Sequence, residues 1–162
     1  MSFQELPMRK MIKGVPFVRD SFGCYVPEDL SALPEKIKVV KPADCLPALA
    51  PIRRSRVEEV MAVTLNGAHQ IIQAHRITRG LVNRCEIHPR EIFHVAINDL
   101  AVSIIIGHNH PSGNLDPSDA DLMVTRRIVE TSKTIGILVI DHLIVCSTGF
   151  TSIRERFPSL FN

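Results

Sequence analysis

The 162-residue chain contains no tryptophan and a single tyrosine, so its core must be mainly aliphatic. No apolar run approaches the roughly 20 residues needed to span a bilayer. The leading MSFQELPMRKMIKG lacks the apolar middle of a secretion signal. A cytoplasmic location without membrane association is therefore expected. The four cysteines, Cys24, Cys45, Cys85 and Cys146, never reach C-x-x-C spacing, which argues against a zinc ribbon or a thioredoxin-like motif. They are expected to be reduced, small apolar residues. There is no internal repeat and no low-complexity segment. Net charge is only +2, too weak to mark a nucleic-acid binder. It is unevenly spread: residues 1–57 hold ten Lys/Arg against six Asp/Glu, and residues 58–162 hold nine against eleven. The basic leading segment reads as a solvated arm, with contact to nucleic acid or an acidic partner as the alternative.

Read in order, the chain divides into an irregular N-terminal arm, residues 1–41, and a domain, residues 42–162. Pro7, Gly14, Pro16, Gly23, Pro27 and Pro34 punctuate the arm, which admits only short extended pieces such as Val15 to Val18. A short or broken helix is expected within 42–53, with Cys45, Leu46, Leu49 and Ile52 on its apolar face and Arg53, Arg54 and Arg56 in solvent. The Val-rich run ending at Leu65, followed by Asn66-Gly67, reads as a strand entering a hairpin. The returning strand is placed at 69–77 and a third at 81–87. Pro89 and Glu91 suit the start of a helix over about 89–99. Residues 101–106 form a β-branched strand, apolar on both faces and therefore central. Ser118 begins a helix with Leu122, Thr125, Ile128 and Val129 on its buried stripe, and Gly136 ends it. A second apolar strand runs from Ile137 to Cys146, interrupted by Asp141-His142, and a short last strand is placed at 150–153. Helices falling between strands indicate an α/β domain with a mixed sheet covered by helices.

The chemistry concentrates in Ile104 to Asp121, IIIGHNHPSGNLDPSDAD. Residues two apart on an extended chain point the same way, so His108 and His110 can aim both imidazoles at one point beyond the strand end. A loop rich in proline and glycine can bring Asp121, one turn into the next helix, back to them. Two imidazoles and a carboxylate suit zinc, and three protein ligands leave a fourth position for water, whose pKa the ion lowers to roughly 7. The same residues also fit a plain His-x-His pair followed by a capped helix start, and spacing alone leaves both readings open.

His108, His110, Ser118 and Asp121 satisfy the string H-x-H, seven residues, S, two residues, D. This resembles the motif of the JAMM (MPN-plus) metalloproteases. The wider HNHPSGNLDPSDAD, with HPREI at 88–92 and DHLIV at 141–145, closely resembles the RadC family of that superfamily, over roughly residues 42–155. The resemblance implies a JAB/MPN, cytidine-deaminase-like fold, with a mixed sheet flanked by helices. It implies zinc held by His108, His110 and Asp121, with Ser118 stabilising an oxyanion. It also implies a glutamate general base at the start of the first core strand. Counting back from Leu65-Asn66-Gly67 puts that base at Glu58, favoured over its neighbour Glu59, which faces the other way. The implied activity is zinc-dependent metallopeptidase or isopeptidase hydrolysis of an amide bond in a peptide or protein, ubiquitin-like tails being the superfamily's substrates. His88, Arg90 and Ser112 are placed as capping or loop residues that can also line a substrate groove. Asp141-His142 reads as a buried hydrogen-bonded pair supporting the sheet or the site.

Two departures from the family pattern matter. Full-length members carry an N-terminal helix-hairpin-helix module, which residues 1–41 are too short and proline-rich to form. The loop also has Leu115-Asp116 before Pro117, where a shorter polar stretch is usual. The alternative function is a non-catalytic DNA-repair-associated or nucleic-acid-binding module. An HNH nuclease is excluded, because three adjacent residues cannot supply side chains spread over a unit of about 30 residues. Nothing in the sequence sets the oligomeric state.

Overall fold

The protein is described by a computed structural model covering residues 37–80 and 87–162 in full, together with the backbone of 9–12, 15–19 and 25–27. Met1–Lys36 and Ile37–Asn162 are two compact units. In the first, β1 (Arg9–Ile12), β2 (Val15–Arg19) and β3 (Tyr25–Pro27) form an antiparallel sheet in sequence order.

The second unit is built on a five-stranded mixed sheet. Its strands are β4 (Glu59–Leu65), β5 (Ile71–Arg79), β6 (Ser103–Asn109), β7 (Leu138–Val145) and β8 (Phe150–Ser152), in the order β5-β4-β6-β7-β8. Only β6 and β7 run parallel, joined by the crossover helix α3 (Asp119–Ile135), as a parallel pair requires. Before α3 come α1 (Leu46–Leu49) and α2 (Pro89–Asn98), and α4 (Ile153–Arg156) follows β8. This is the α/β architecture that the strand and helix pattern predicts.

Every residue of β4 and β6 is buried, because each face of the sheet carries its own core. Val60, Ala62, Ile104 and Ile106 pack with Ile92, Phe93, Ile128 and Val129 of α2 and α3. Met61, Val63, Leu65 and Ile105 pack with Cys45, Leu49 and Ile52. The alternation of consecutive residues between the two clusters is the period-2 geometry of a strand covered on both sides. Gly107 belongs to the second face, and a Cβ there would lie 2.4 and 2.6 Å from the two Cδ atoms of Leu49. The absence of a side chain lets α1 sit directly on β6.

Several expectations need adjustment. The broken helix is a 3-10 turn, Pro42–Cys45, continued by α1. Arg53 is not free in solvent; its Nε donates to the Cys146 carbonyl at 3.1 Å. The Asn-Gly pair does not make a two-residue turn. Asn66 Oδ1 accepts from the backbone N–H groups of Ala68 and Gln70 at 2.9 and 3.0 Å. That side-chain-organised loop, with His69 at φ 58°, lengthens the connection and starts β5 at Ile71 rather than 69. Strand β6 runs on to Asn109 because Val60 of β4 and Ile144 of β7 still pair with His108. The strand expected over 81–87 falls mostly on 81–86, outside the described residues. Cys45 and Cys146 are buried and unpaired, and Cys24 and Cys85 lie outside the described residues. Among the described residues no helix is long and apolar enough to cross a membrane.

Candidate metal centre

The parity of β6 decides which way its polar end faces. Ile104 and Ile106 look toward α2 and α3, so His108 does too, and it is buried within the strand rather than beyond it. His110 follows immediately after the strand. The loop to Ser118 then returns the chain so that α3 begins beside the two imidazoles. Ser118 caps α3: its backbone N–H and its hydroxyl donate to Asp121 Oδ2 at 2.8 and 2.6 Å, and Asp121 N–H donates to Ser118 Oγ at 3.2 Å. This capping box also aims Asp121. With Oδ2 occupied by Ser118, Oδ1 faces His108 Nε2 at 3.2 Å.

The hydrogen-bond chain behind His108 settles where its proton sits. Thr125 donates its only hydroxyl proton to the Asp121 carbonyl at 2.6 Å, so Thr125 Oγ1 accepts from His142 Nδ1–H at 2.7 Å. His142 Nε2 then bears a lone pair and accepts from His108 Nδ1–H at 2.8 Å. His108 Nε2 is left unprotonated. On the other ring, His110 donates Nδ1–H to the Asn114 carbonyl at 2.8 Å, leaving its Nε2 unprotonated as well. Both tautomers are therefore set from behind, as metal-ligating histidines require. Burial, the dominant effect, holds the His142 pKa well below the ordinary histidine value, and neighbouring His108 adds to this. His142 is thus a neutral acceptor.

Three electron-pair donors consequently face one another. His108 Nε2 and His110 Nε2 are 2.9 Å apart, and Asp121 oxygens lie 3.2 and 3.4 Å from them. Ligands at about 2.0–2.1 Å from a tetrahedral zinc are separated by roughly 3.3 Å, so the spacing fits a bound divalent ion. Such a convergence is repulsive unless positive charge lies within it. In the ion-free chain a proton can supply that charge. Asp121 raises the pKa of His110, and the Asn114 carbonyl and Glu58 reinforce it against the opposing effect of burial. Burial disfavours charge on Asp121 itself, but its contacts with His108, His110 and Ser118 outweigh that and hold the carboxyl well below the usual range.

Glu58 completes the group. Its carboxylate and the donor atoms of His108, His110 and Asp121 all lie within 4.8 Å of one another. Glu59 is turned away and buried: its carboxylate pairs with Arg76 Nε at 2.6 Å and accepts from Ser55 Oγ at 2.6 Å. Asn109, between the two histidines but on the opposite face, holds this segment in place. Its Oδ1 accepts from Glu59 N–H at 2.8 Å, and its Nδ2 donates to the Val57 carbonyl at 3.0 Å. Glu58 is bracketed by these two bonds.

The group opens into a cavity of about 780 Å³, also lined by Ile87, His88, Arg90, Val124 and Arg127. A second cavity of about 470 Å³, with Arg56, Ser112 and Asn114 on its walls, shares Glu58, His110 and Ser118 with the first. Space for an extended ligand thus lies on both flanks of the donors. His88 does cap α2, as expected: its Nδ1 accepts from Arg90 N–H at 3.2 Å. Asp141 and His142 are not a mutual side-chain pair. His142 faces the site, while Asp141 turns to the other side and accepts from Ser152 Oγ at 2.6 Å. Thr125 and Asn109 are contributors that the sequence did not assign to the site, whereas His142 was expected only as half of a buried pair supporting the sheet or the site. The one available signal was the polar Asp-His step inside an apolar strand.

A mixed sheet thus brings one histidine at the end of a central strand, and a second just beyond it, to an aspartate on a crossover helix. A family model described as the RadC-like JAB domain matches residues 39–157. A UPF0758 protein of Methanospirillum hungatei is 42% identical over 123 residues, covering 75% of this chain and 55% of the relative. One of Desulforamulus reducens is 34% identical over 158 residues, covering 96% and 70%. One of Symbiobacterium thermophilum is 38% identical over 136 residues, covering 83% and 58%. The chain belongs to the RadC family of the JAB superfamily. It spans little more than half the length of most of the curated relatives it matches.

Proposed function

We propose that this chain is a zinc-dependent hydrolase that cleaves an amide bond in a peptide or protein, as a metallopeptidase or isopeptidase. The observation that carries the reading is the convergence of three donor atoms, His108 Nε2, His110 Nε2 and Asp121 Oδ1, beside the carboxylate of Glu58. His108, His110 and Asp121 would hold the ion. When bound, zinc supplies Lewis acidity and makes hydroxide accessible near neutral pH.

The protein's own groups do the rest. Glu58 takes a proton from the attacking water as the carbon–oxygen bond forms. It returns that proton to the amide nitrogen as the carbon–nitrogen bond breaks. Asn109 keeps Glu58 at that position through its grip on both neighbouring residues. Ser118 orients Asp121 in the resting arrangement, and its hydroxyl becomes available to an oxyanion only on releasing Asp121 Oδ2. A cytoplasmic setting, where thiols stay reduced, is part of the reading.

The test begins with metal content. Purified protein is expected to hold about one zinc per chain, lost in Asp121→Asn and His108→Ala. Glu58→Gln is expected to keep the metal and abolish cleavage of a peptide library that the parent protein cuts. Zinc retained by both ligand variants, or full activity in Glu58→Gln, would sink the assignment.

A further inference from the structure

The wall of the larger cavity beyond the metal donors carries an arrangement with the opposite electrostatic sign. His88 Nδ1 accepts from Arg90 N–H at 3.2 Å, so the neutral ring keeps its proton on Nε2. That Nε2–H faces Nη2 of Arg127 at 3.4 Å. Both groups are donors, and neither can accept from the other. Arg90 lines the same cavity. Among the described residues neither Arg90 nor Arg127 pairs with a carboxylate, whereas Arg76, Arg79 and Arg156 each do. The cavity's other acid on this side, Glu91, is committed to the cap of α2, where Oε2 accepts from His88 N–H at 3.3 Å. Two helices thus carry N–H donors on the wall of one cavity, and among the described residues no carboxylate pairs with the His88 ring, Arg90 or Arg127.

We propose that His88, Arg90 and Arg127 form a carboxylate-binding subsite. On the hydrolase reading, on which this step rests, substrates carry a carboxylate on the α2–α3 side of the amide to be cut. It would be either an acidic side chain or a free C-terminus. Arginine is suited to that task because its planar fork matches a carboxylate in two places. The smaller cavity, with Arg56, Ser112 and Asn114 on its walls, lies on the other side of the amide to be cut.

Three blocked dipeptides serve as probes: Ac-Ala-Glu-NH2, Ac-Ala-Gln-OH and the uncharged Ac-Ala-Gln-NH2. Each is titrated into the zinc-loaded chain and followed by calorimetry. At least one charged probe is expected to bind about tenfold more tightly than the uncharged one, and which one identifies the source of the carboxylate. The advantage is expected to fall within about twofold in Arg90→Ala/Arg127→Ala and to persist in Asp121→Asn. Circular dichroism and zinc content check that the arginine variants are intact. Equal binding of the three probes overturns the subsite. So does an advantage that survives the double variant. An advantage lost in Asp121→Asn but kept in the double variant would put the carboxylate on the ion; the subsite then fails while the hydrolase reading stands. Charge-selective binding without cleavage of any acidic peptide would leave the subsite and remove the hydrolase reading.

Discussion

His108 donates its Nδ1 proton to Nε2 of His142 across 2.8 Å, so a second histidine, rather than a carboxylate, sets the tautomer of the buried donor. Replacing His142 with phenylalanine removes that acceptor and frees His108 to place its proton on Nε2. Zinc affinity is expected to drop about 10–100-fold, measured by competition with a chromophoric chelator. His142→Gln, whose side-chain oxygen can still accept, is expected to lose less. Unchanged affinity in a folded His142→Phe protein would rule out the relay.

Asn109 ties the Glu58 segment to β6 from the far face of the sheet. Asn109→Ala leaves Glu59 N–H and the Val57 carbonyl without their partners, at a cost of about 1–3 kcal/mol in urea unfolding. Amide exchange at Glu59 is expected to accelerate while zinc binding stays within about threefold, since no ion ligand is touched. If Glu59 remains as protected as in the parent, the clamp is not what holds Glu58.

The close approach of α1 to β6 rests on Gly107. Gly107→Ala forces a methyl into Leu49 and is expected to cost about 1–3 kcal/mol. Leu49→Ala empties a fully buried position and is expected to cost about 2–5 kcal/mol. In the double variant the new methyl occupies space the leucine vacates. The combined loss is therefore expected to be smaller than the two losses added together, by about 1 kcal/mol or more. Strict additivity would mean that the two residues do not oppose each other.

Asp141 gives a pH dependence independent of the metal donors. Burial raises its pKa, although Ser152 and the backbone N–H groups of Arg154 and His142 pull the other way. A raised folded-state value means the folded protein keeps this proton longer than the unfolded chain. The stability it contributes is complete below the ordinary value of 3.8 and is lost as pH rises through the folded value. The stability of the parent relative to Asp141→Asn is therefore expected to decline from pH 4 toward neutrality in urea melts. A flat difference over that range would refute the linkage.

The layout of the domain could be read from its runs. Val60 to Leu65 and Ser103 to Ile106 are apolar on both faces, and Ser118 and Gly136 bracket an amphipathic stretch that became α3. What was not legible depended on partners distant in the chain. Nothing local shows that His108 continues a strand; the pairing of Val60 and Ile144 does that. Asn66-Gly67 suggested a tight turn, but the Asn66 side chain organised a longer one. The residue types at 108, 110 and 121 suggested donors, yet the proton position of His108 rests on Thr125 and His142, whose side chains meet the site only after α3 and β7 pack, and that of His110 on the Asn114 carbonyl. Glu58 and Glu59 are adjacent and chemically alike, and only strand parity separated them in advance.

The two cores that enclose β4 and β6 also set how the molecule opens. Backbone hydrogen bonds covered on both sides exchange only when the whole sheet comes apart. His108, and the backbone beside Glu58, therefore ride on what should be the slowest-exchanging segment of the domain. His110 lies past the strand, and the exposed turn through Pro111–Asn114 holds its ring through the Asn114 carbonyl. The centre is therefore anchored unevenly, with His108 fixed by the sheet and His110 only as steady as the turn that holds it.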